Sequence, residues 1–186
     1  LINDLKILIN AIHQSNEKDK RKIRDKALVL IGFSGGFRRS ELVDIEYEDL
    51  EFVSEGVKIF VKRSKTDQSG EGMTKAIPYF DNEKFCPVIA LKNWIEIFDL
   101  KKSRIFNISD KSVALIIKKY ASYAGLDSHR YAGHSLRSGF ATSTAESGAE
   151  ERNIMAMTGH KSTEMVRRYI KEANLFKNNA LNSIKI

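Results

Sequence analysis

Apolar positions recur at helical spacing over residues 3–14, NDLKILINAIHQ, with Asn3 or Asp4 placed to cap the first turn. A charged opening, EKDKRKIRDK, then runs into ALVLIGF, which predicts a helix from Glu17 to Phe33 entering the core and ended by Gly35 and Gly36. Ser40 is placed to cap a short helix, SELVDIEYEDL, with Glu41 in its first turn, where the helix dipole favours a carboxylate. The character then changes. LEFV, GVKIFVKRS and KAIPYF alternate or cluster β-branched and aromatic residues, and SEG and TDQSGEG separate them. Three short antiparallel strands are predicted, with a mobile loop from Thr66 to Gly72 between the last two.

Pro87 suits the first turn of a helix, PVIALKNWIEIF. Four further helical stretches follow: SVALIIKKYASYAG, LRSGFATSTAESG, EERNIMAMTG and STEMVRRYIKEANLF, with a last turn possible through Ile184. Gly125, Gly148 and Gly159 mark the breaks. The expected fold is α+β, mainly α-helical with a small three-stranded antiparallel sheet. The 186 residues suit one domain, 1–186, and no Pro-, Ser- or Gly-rich stretch divides them. The chain opens on Leu1, not methionine, and enters a helical pattern at once, which suggests a domain excised from something longer.

Composition adds a partner class. Lys and Arg total 31 against 24 Asp and Glu, for a formal charge of +7, and an excess of this sign favours polyanions. The apolar content of 42% is enough for a real core and excludes wholesale disorder. The single cysteine, Cys86, cannot close an internal disulfide, and no zinc spacing is present. Nothing at the start resembles a signal peptide, and no apolar run reaches the length of a bilayer span. The expectation is a soluble protein of a reducing compartment, the cytoplasm, without membrane partners. No phosphate-binding glycine loop and no dinucleotide fingerprint occurs.

Several polar residues could carry chemistry. Arg38 follows the Gly35–Gly36 pair and precedes a predicted helix start, where a guanidinium can share an anion site with backbone N–H groups. His134 and Arg137, in HSLR, lie three apart and can share one helix face. His160 sits in TGHKS between a glycine break and the next helix, and Tyr169 lies nine positions later in RRYIK. Lys65, in RSKTD, falls at a strand end. Singly, each has an ordinary reading: a turn arginine, a capping histidine beside a surface arginine, a packing tyrosine, a solvated lysine.

Their joint order is more specific. GGFRRSEL, then RSKT, HSLR, TGHKS and RRY closely resembles the tyrosine recombinase family, which includes the phage integrases. The resemblance runs from about residue 18 to Tyr169. It implies a catalytic-domain fold of DNA breaking-rejoining enzymes, with catalytic residues Arg38, Lys65, His134, Arg137, His160 and Tyr169, and with Glu41 supporting the site. It also implies that the N-terminal DNA-clamping domain usual in the family lies outside this chain.

The implied activity is cleavage and rejoining of DNA through a covalent 3′-phosphotyrosyl link to Tyr169. A phosphodiester resists attack unless the charge developing on its oxygens is stabilised. Two arginines and a histidine can clamp those oxygens, since Arg stays charged and bonds bidentately. A phenol of reference pKa near 10 needs a base, for which His134 is the candidate, and Lys65 can protonate the departing 5′-oxygen. The phosphotyrosyl ester keeps the energy of the broken bond, so no cofactor, ATP or metal is required. The implied partners are double-stranded DNA and further copies of the chain, a tetramer on DNA, with the tail after Tyr169 either closing the chain's own core or docking on a neighbour. Two alternatives use the same fold: relaxation of supercoiled DNA in the manner of a type IB topoisomerase, and a DNA-binding regulator without catalysis.

Overall fold

The computed structural model describes residues 2–62, 71–98, 103–131, 135–159, 163–175 and 179–184. Two helices open the chain, α1 (Ile2–Gln14) and α2 (Asp19–Ser34). α1 is amphipathic and buries Leu5, Leu8, Ile9, Ala11 and Ile12 on one face. α2 differs: Ala27, Leu28, Val29, Leu30 and Ile31 are consecutive and all buried. A helix apolar on every side belongs at the centre, and α2 packs against α1 and three later helices.

The next helix, α3 (Arg39–Val43), is shorter than the Ser40–Leu50 stretch the sequence predicts, and Arg38, not Ser40, occupies its N-cap. Burial of Ile45 explains the early end. Its carbonyl accepts from the Ile105 N–H at 3.0 Å, and the Tyr47 N–H donates to the Ser103 carbonyl at 3.1 Å, so the backbone leaves the helix to pair with a distant segment. Only a 3-10 turn, Tyr47–Asp49, survives of the predicted second half.

Strands β1 (Leu50–Val53), β2 (Gly56–Val61) and β3 (Met73–Pro78) form the expected three-stranded antiparallel sheet in that order. Leu50 pairs with Ile59, and Ile59 with Lys75. The period of two places Val57, Ile59, Val61 and Ile77 on the core side. The loop predicted at Thr66–Gly72 falls mostly outside the described residues.

α4 (Pro87–Phe98) and α5 (Asp110–Tyr123) complete the larger core. Ser109 caps α5, its Oγ accepting from the Ser112 N–H at 3.2 Å. The Tyr120 hydroxyl donates to the buried Asp25 carboxylate at 2.6 Å, tying α5 to α2.

α6 (Ser135–Glu146), α7 (Glu151–Thr158) and α8 (Thr163–Ala173) build a second, smaller core from Phe140, Ala141, Ala145, Ile154 and Val166. α6 belongs to both: Leu136 packs in the larger cluster and Phe140 in the smaller one.

The junction between α2 and α3 depends on glycine. Gly36 has φ of +58°, and a Cβ there would lie 2.9 Å from Phe140 Cδ1. Gly36→Ala therefore combines left-handed strain with overpacking, for a loss of about 2–4 kcal/mol. The expected fall in Tm is roughly 5–15 °C, checked by calorimetry against wild type.

Candidate active site

The Gly35–Arg38 turn is held from behind by the end of α2. The N–H groups of Gly35, Gly36 and Phe37 donate to the carbonyls of Ile31, Phe33 and Gly32 at 2.9, 3.1 and 3.0 Å. Phe37 is buried beneath the turn and Arg38 stays half-buried at its rim. Glu41, one turn into α3, reaches back and accepts from the Arg38 N–H at 2.8 Å.

Arg137 comes from α6 and is 5% exposed, which is rare for an arginine and demands partners. Its Nη1 lies 3.6 Å from Glu41 Oε1 and donates to the Gly36 carbonyl at 3.4 Å. The Nη2 is also buried and makes no hydrogen bond among the described residues. Burial, then the charge of Arg38, lowers the Arg137 pKa to about 10, while Glu41 and Tyr169 oppose the shift. The guanidinium is still cationic at neutral pH, with Arg38 within its electrostatic reach. An anion set between them would relieve their repulsion and meet the unused donor.

Tyr169 lies on α8, whose apolar face packs on α6 and α7 while Glu164, Arg167 and Arg168 point to solvent. That packing brings the phenol within electrostatic reach of Arg137. Its hydroxyl donates to Ser138 Oγ at 3.2 Å, one residue beyond Arg137. Arg137 thus lies within electrostatic reach of both Arg38 and Tyr169, with Glu41 beside it. Lys65, His134 and His160 lie outside the described residues.

Two groups at the site were not among the sequence candidates. One is Ser138, which nothing in the pattern distinguishes from other helix serines. The other is Lys75 on β3, only 1% exposed, whose Nζ donates to the Gly35 carbonyl at 2.8 Å and the Gly36 carbonyl at 3.4 Å. A signal for Lys75 exists: Met73, Lys75 and Ile77 share one parity of an alternating strand, so this lysine points with the core residues.

Burial pushes the Lys75 pKa down to about 7; Glu41 acts against the shift, and Arg137 and Arg38 add to it. Between about pH 7 and the unfolded value of 10.5, the unfolded chain holds a proton that the native chain has released. Stability therefore rises with pH across that window, by up to about 1.4 kcal/mol per pH unit. Urea midpoints of wild type and Lys75→Met at pH 6.5, 8 and 9.5 should show wild type gaining on the variant as pH rises.

The same arrangement of helices and sheet occurs in solved recombinases. XerA recombinase matches with a TM-score of 0.74 at 20% identity, covering 100% of this chain and 64% of that one. A lambda integrase (75–356) dimer bound to a COC′ core site matches at 0.61 and 21%, covering 99% and 61%. XerH site-specific recombinase bound to a palindromic difH substrate, a post-cleavage complex, matches at 0.73 and 20%, covering 95% and 52%. The fold is that of a tyrosine recombinase catalytic domain.

The sequence profile of the phage integrase family matches residues 3–175, and the chain belongs to that family. An integrase/recombinase xerD homolog of Selenomonas ruminantium is 50% identical over 179 residues, covering 90% of this chain and 52% of its own length. A tyrosine recombinase XerC of Syntrophus aciditrophicus is 30% identical over 160 residues, covering 79% and 48%. The chain spans about half the length of these curated relatives.

Proposed function

We propose that this chain is the catalytic portion of a site-specific DNA recombinase or integrase that cleaves and rejoins strands through a covalent bond between Tyr169 and the DNA 3′-phosphate. The position of Arg137, with a donor unused among the described residues and both Arg38 and the Tyr169 phenol within its electrostatic reach, carries this reading. Clamp and nucleophile come from segments more than 130 positions apart in sequence, Arg38 and Tyr169. A surface built only to bind DNA needs no phenol within reach of a buried arginine.

In the proposed step the Tyr169 oxygen attacks phosphorus, the bond to the 5′-oxygen breaks, and the phosphodiester becomes a phosphotyrosyl ester. Arg38 and Arg137 hold the non-bridging oxygens, and His160 joins them. The phenol proton passes to His134, and Lys65 protonates the departing 5′-oxygen. The free 5′-hydroxyl of another strand reverses the step. The roles of Lys65, His134 and His160 rest on their motif positions in the sequence. Each acid–base partner contributes about 10²–10⁴ in rate.

The partners under this reading are double-stranded DNA and other copies of the chain. The net charge of +7 suits the first. For the second, Leu181 and Ile184 stand exposed near the C-terminus, and an apolar groove of about 890 Å³ opens between α1, the end of β3 and α6. Recombination in tetramers fits the lambda integrase tetramer bound to a Holliday junction, which has the same fold at a TM-score of 0.63. A cytoplasmic location fits this reading, and no described helix is long and apolar enough to cross a membrane.

The test needs no known target. The chain is incubated in EDTA with nicked duplexes of randomised sequence, and DNA that stays bound in detergent is recovered and sequenced. A phosphotyrosyl peptide containing Tyr169 and a recovered consensus are expected. Strand exchange between two recovered sites separates recombination from topoisomerase-like relaxation, which would unwind supercoiled plasmid and yield no recombinant. Absence of any detergent-stable adduct would refute the catalytic reading.

A further inference from the structure

Lys75 is a cation in an unusual place. It is 1% exposed, on the core-facing side of β3, and its ammonium lies 4.4 Å from the centre of the Phe37 ring. Burying an ammonium is costly unless it is well bonded. A residue needed only for packing would be an aliphatic one, as Ile77 is two positions on.

What the ammonium bonds is informative. Its two acceptors are the carbonyls of Gly35 and Gly36, the two residues that turn the chain from α2 toward Arg38. The Gly36 carbonyl is also the acceptor for Arg137 Nη1. One peptide oxygen thus receives donors from β3 and α6, while the residue two positions on is Arg38. Glu41 closes the ring, accepting from the Arg38 N–H and lying 3.6 Å from Arg137. Without the β3 donor, both carbonyls would sit buried beside cations with a single long bond from Arg137 to restrain them.

We propose that Lys75 is a positioning residue for the reaction: through the Gly35 and Gly36 carbonyls it fixes the turn that aims Arg38 and sets its spacing from Arg137. This rests on the reading of those two arginines as the phosphate clamp. Lys75 does not reach the substrate itself, because its ammonium is enclosed and directed at the turn. Its positive charge strengthens both hydrogen bonds and adds to the field at the clamp. The charged groups that face it are Glu41 on α3, Arg38 at the α3 N-cap and Arg137 on α6. Its proton is held loosely near neutrality, and a phosphate in the clamp strengthens that hold.

Lys75→Met keeps the aliphatic stem and removes charge and donors. With the DNA recovered above, the variant is expected to bind within about threefold of wild type, since phosphate contacts elsewhere dominate affinity. Single-turnover adduct formation at pH 6.5 is expected to fall by roughly 10–100-fold, the scale of a clamp displaced by an ångström. The ratio of wild-type to variant rates should narrow between pH 7 and 9.5 as wild type loses the Lys75 proton. Proton transfers shared by both proteins cancel in that ratio.

Lys75→Arg supplies a second arm that does not depend on the methionine variant folding. It keeps charge and donors but does not titrate in this range, so its rate relative to wild type should climb from pH 7 to 9.5. A Lys75→Met protein as fast as wild type at pH 6.5, or variant ratios that stay level across pH, would overturn the proposal. An active wild type with indifferent variants overturns this inference alone. A wild type that forms no adduct overturns the clamp reading and this inference with it.

Discussion

Tyr169→Phe should leave DNA binding and folding unchanged and abolish the covalent adduct. The substitution removes one atom. The ring that packs against the smaller core is retained, and the only described hydrogen bond lost is the one to Ser138 at 3.2 Å. Such a bond between partly buried hydroxyls contributes about 1 kcal/mol or less, so Tm should move by only a few degrees. On the proposed reading the reaction loses its nucleophile. The measurement is a denaturing gel of protein incubated with the recovered nicked duplex, followed by peptide mass mapping. An undiminished adduct in the variant would assign the nucleophile to another residue.

Arg137 is the position of second-largest effect, and its two substitutions should separate folding from chemistry. Arg137→Ala removes one partner of a buried pair, leaving Glu41 (5% exposed) without its neighbouring guanidinium and the Gly36 carbonyl without one donor. Breaking a pair of this kind costs about 3–5 kcal/mol of stability, enough to lower Tm visibly. Arg137→Lys keeps the charge near Glu41 and so keeps most of the fold. It loses the planar fork, and with it the unspent Nη2 donor. Its adduct formation should drop by about 10²-fold or more, equivalent to ~3 kcal/mol of transition-state stabilisation. Calorimetry and single-turnover cleavage on the same preparations make the comparison. A lysine variant that cleaves at the wild-type rate would remove Arg137 from the phosphate clamp.

Much of this was readable from residue patterns, for identifiable reasons. The helices of the larger core announce themselves because α1 and α4 each bury one face, and the sheet because β2 and β3 cluster or alternate β-branched and apolar residues between turn signals. Arg38, Arg137 and Tyr169 stand out as a set through their motifs, and the fold puts Arg137 within electrostatic reach of the other two. The end of α3 was not legible, since it is decided by Ile45 pairing with Ile105, a contact sixty positions away. Local propensity contains no such term. The choice of Arg38 over Ser40 as N-cap has a local origin instead: the Glu41 carboxylate, three positions on, accepts from the Arg38 N–H. Lys75 was hidden for another reason. Strand lysines ordinarily face water, and only the parity it shares with Ile77 betrays its inward direction.

The two apolar clusters joined by α6 place the parts of the reaction on separate foundations. Arg38 and Lys75 stand on the larger one, Tyr169 on the smaller, and Arg137 on the helix between. Among the described residues the smaller foundation has five buried side chains, so it is expected to loosen first under heat or denaturant. Loosening it withdraws the phenol while the cationic cradle stays built. On the proposed reading, a protein of this construction disarms before it unravels, and a strand held in the cradle goes uncut until α8 returns.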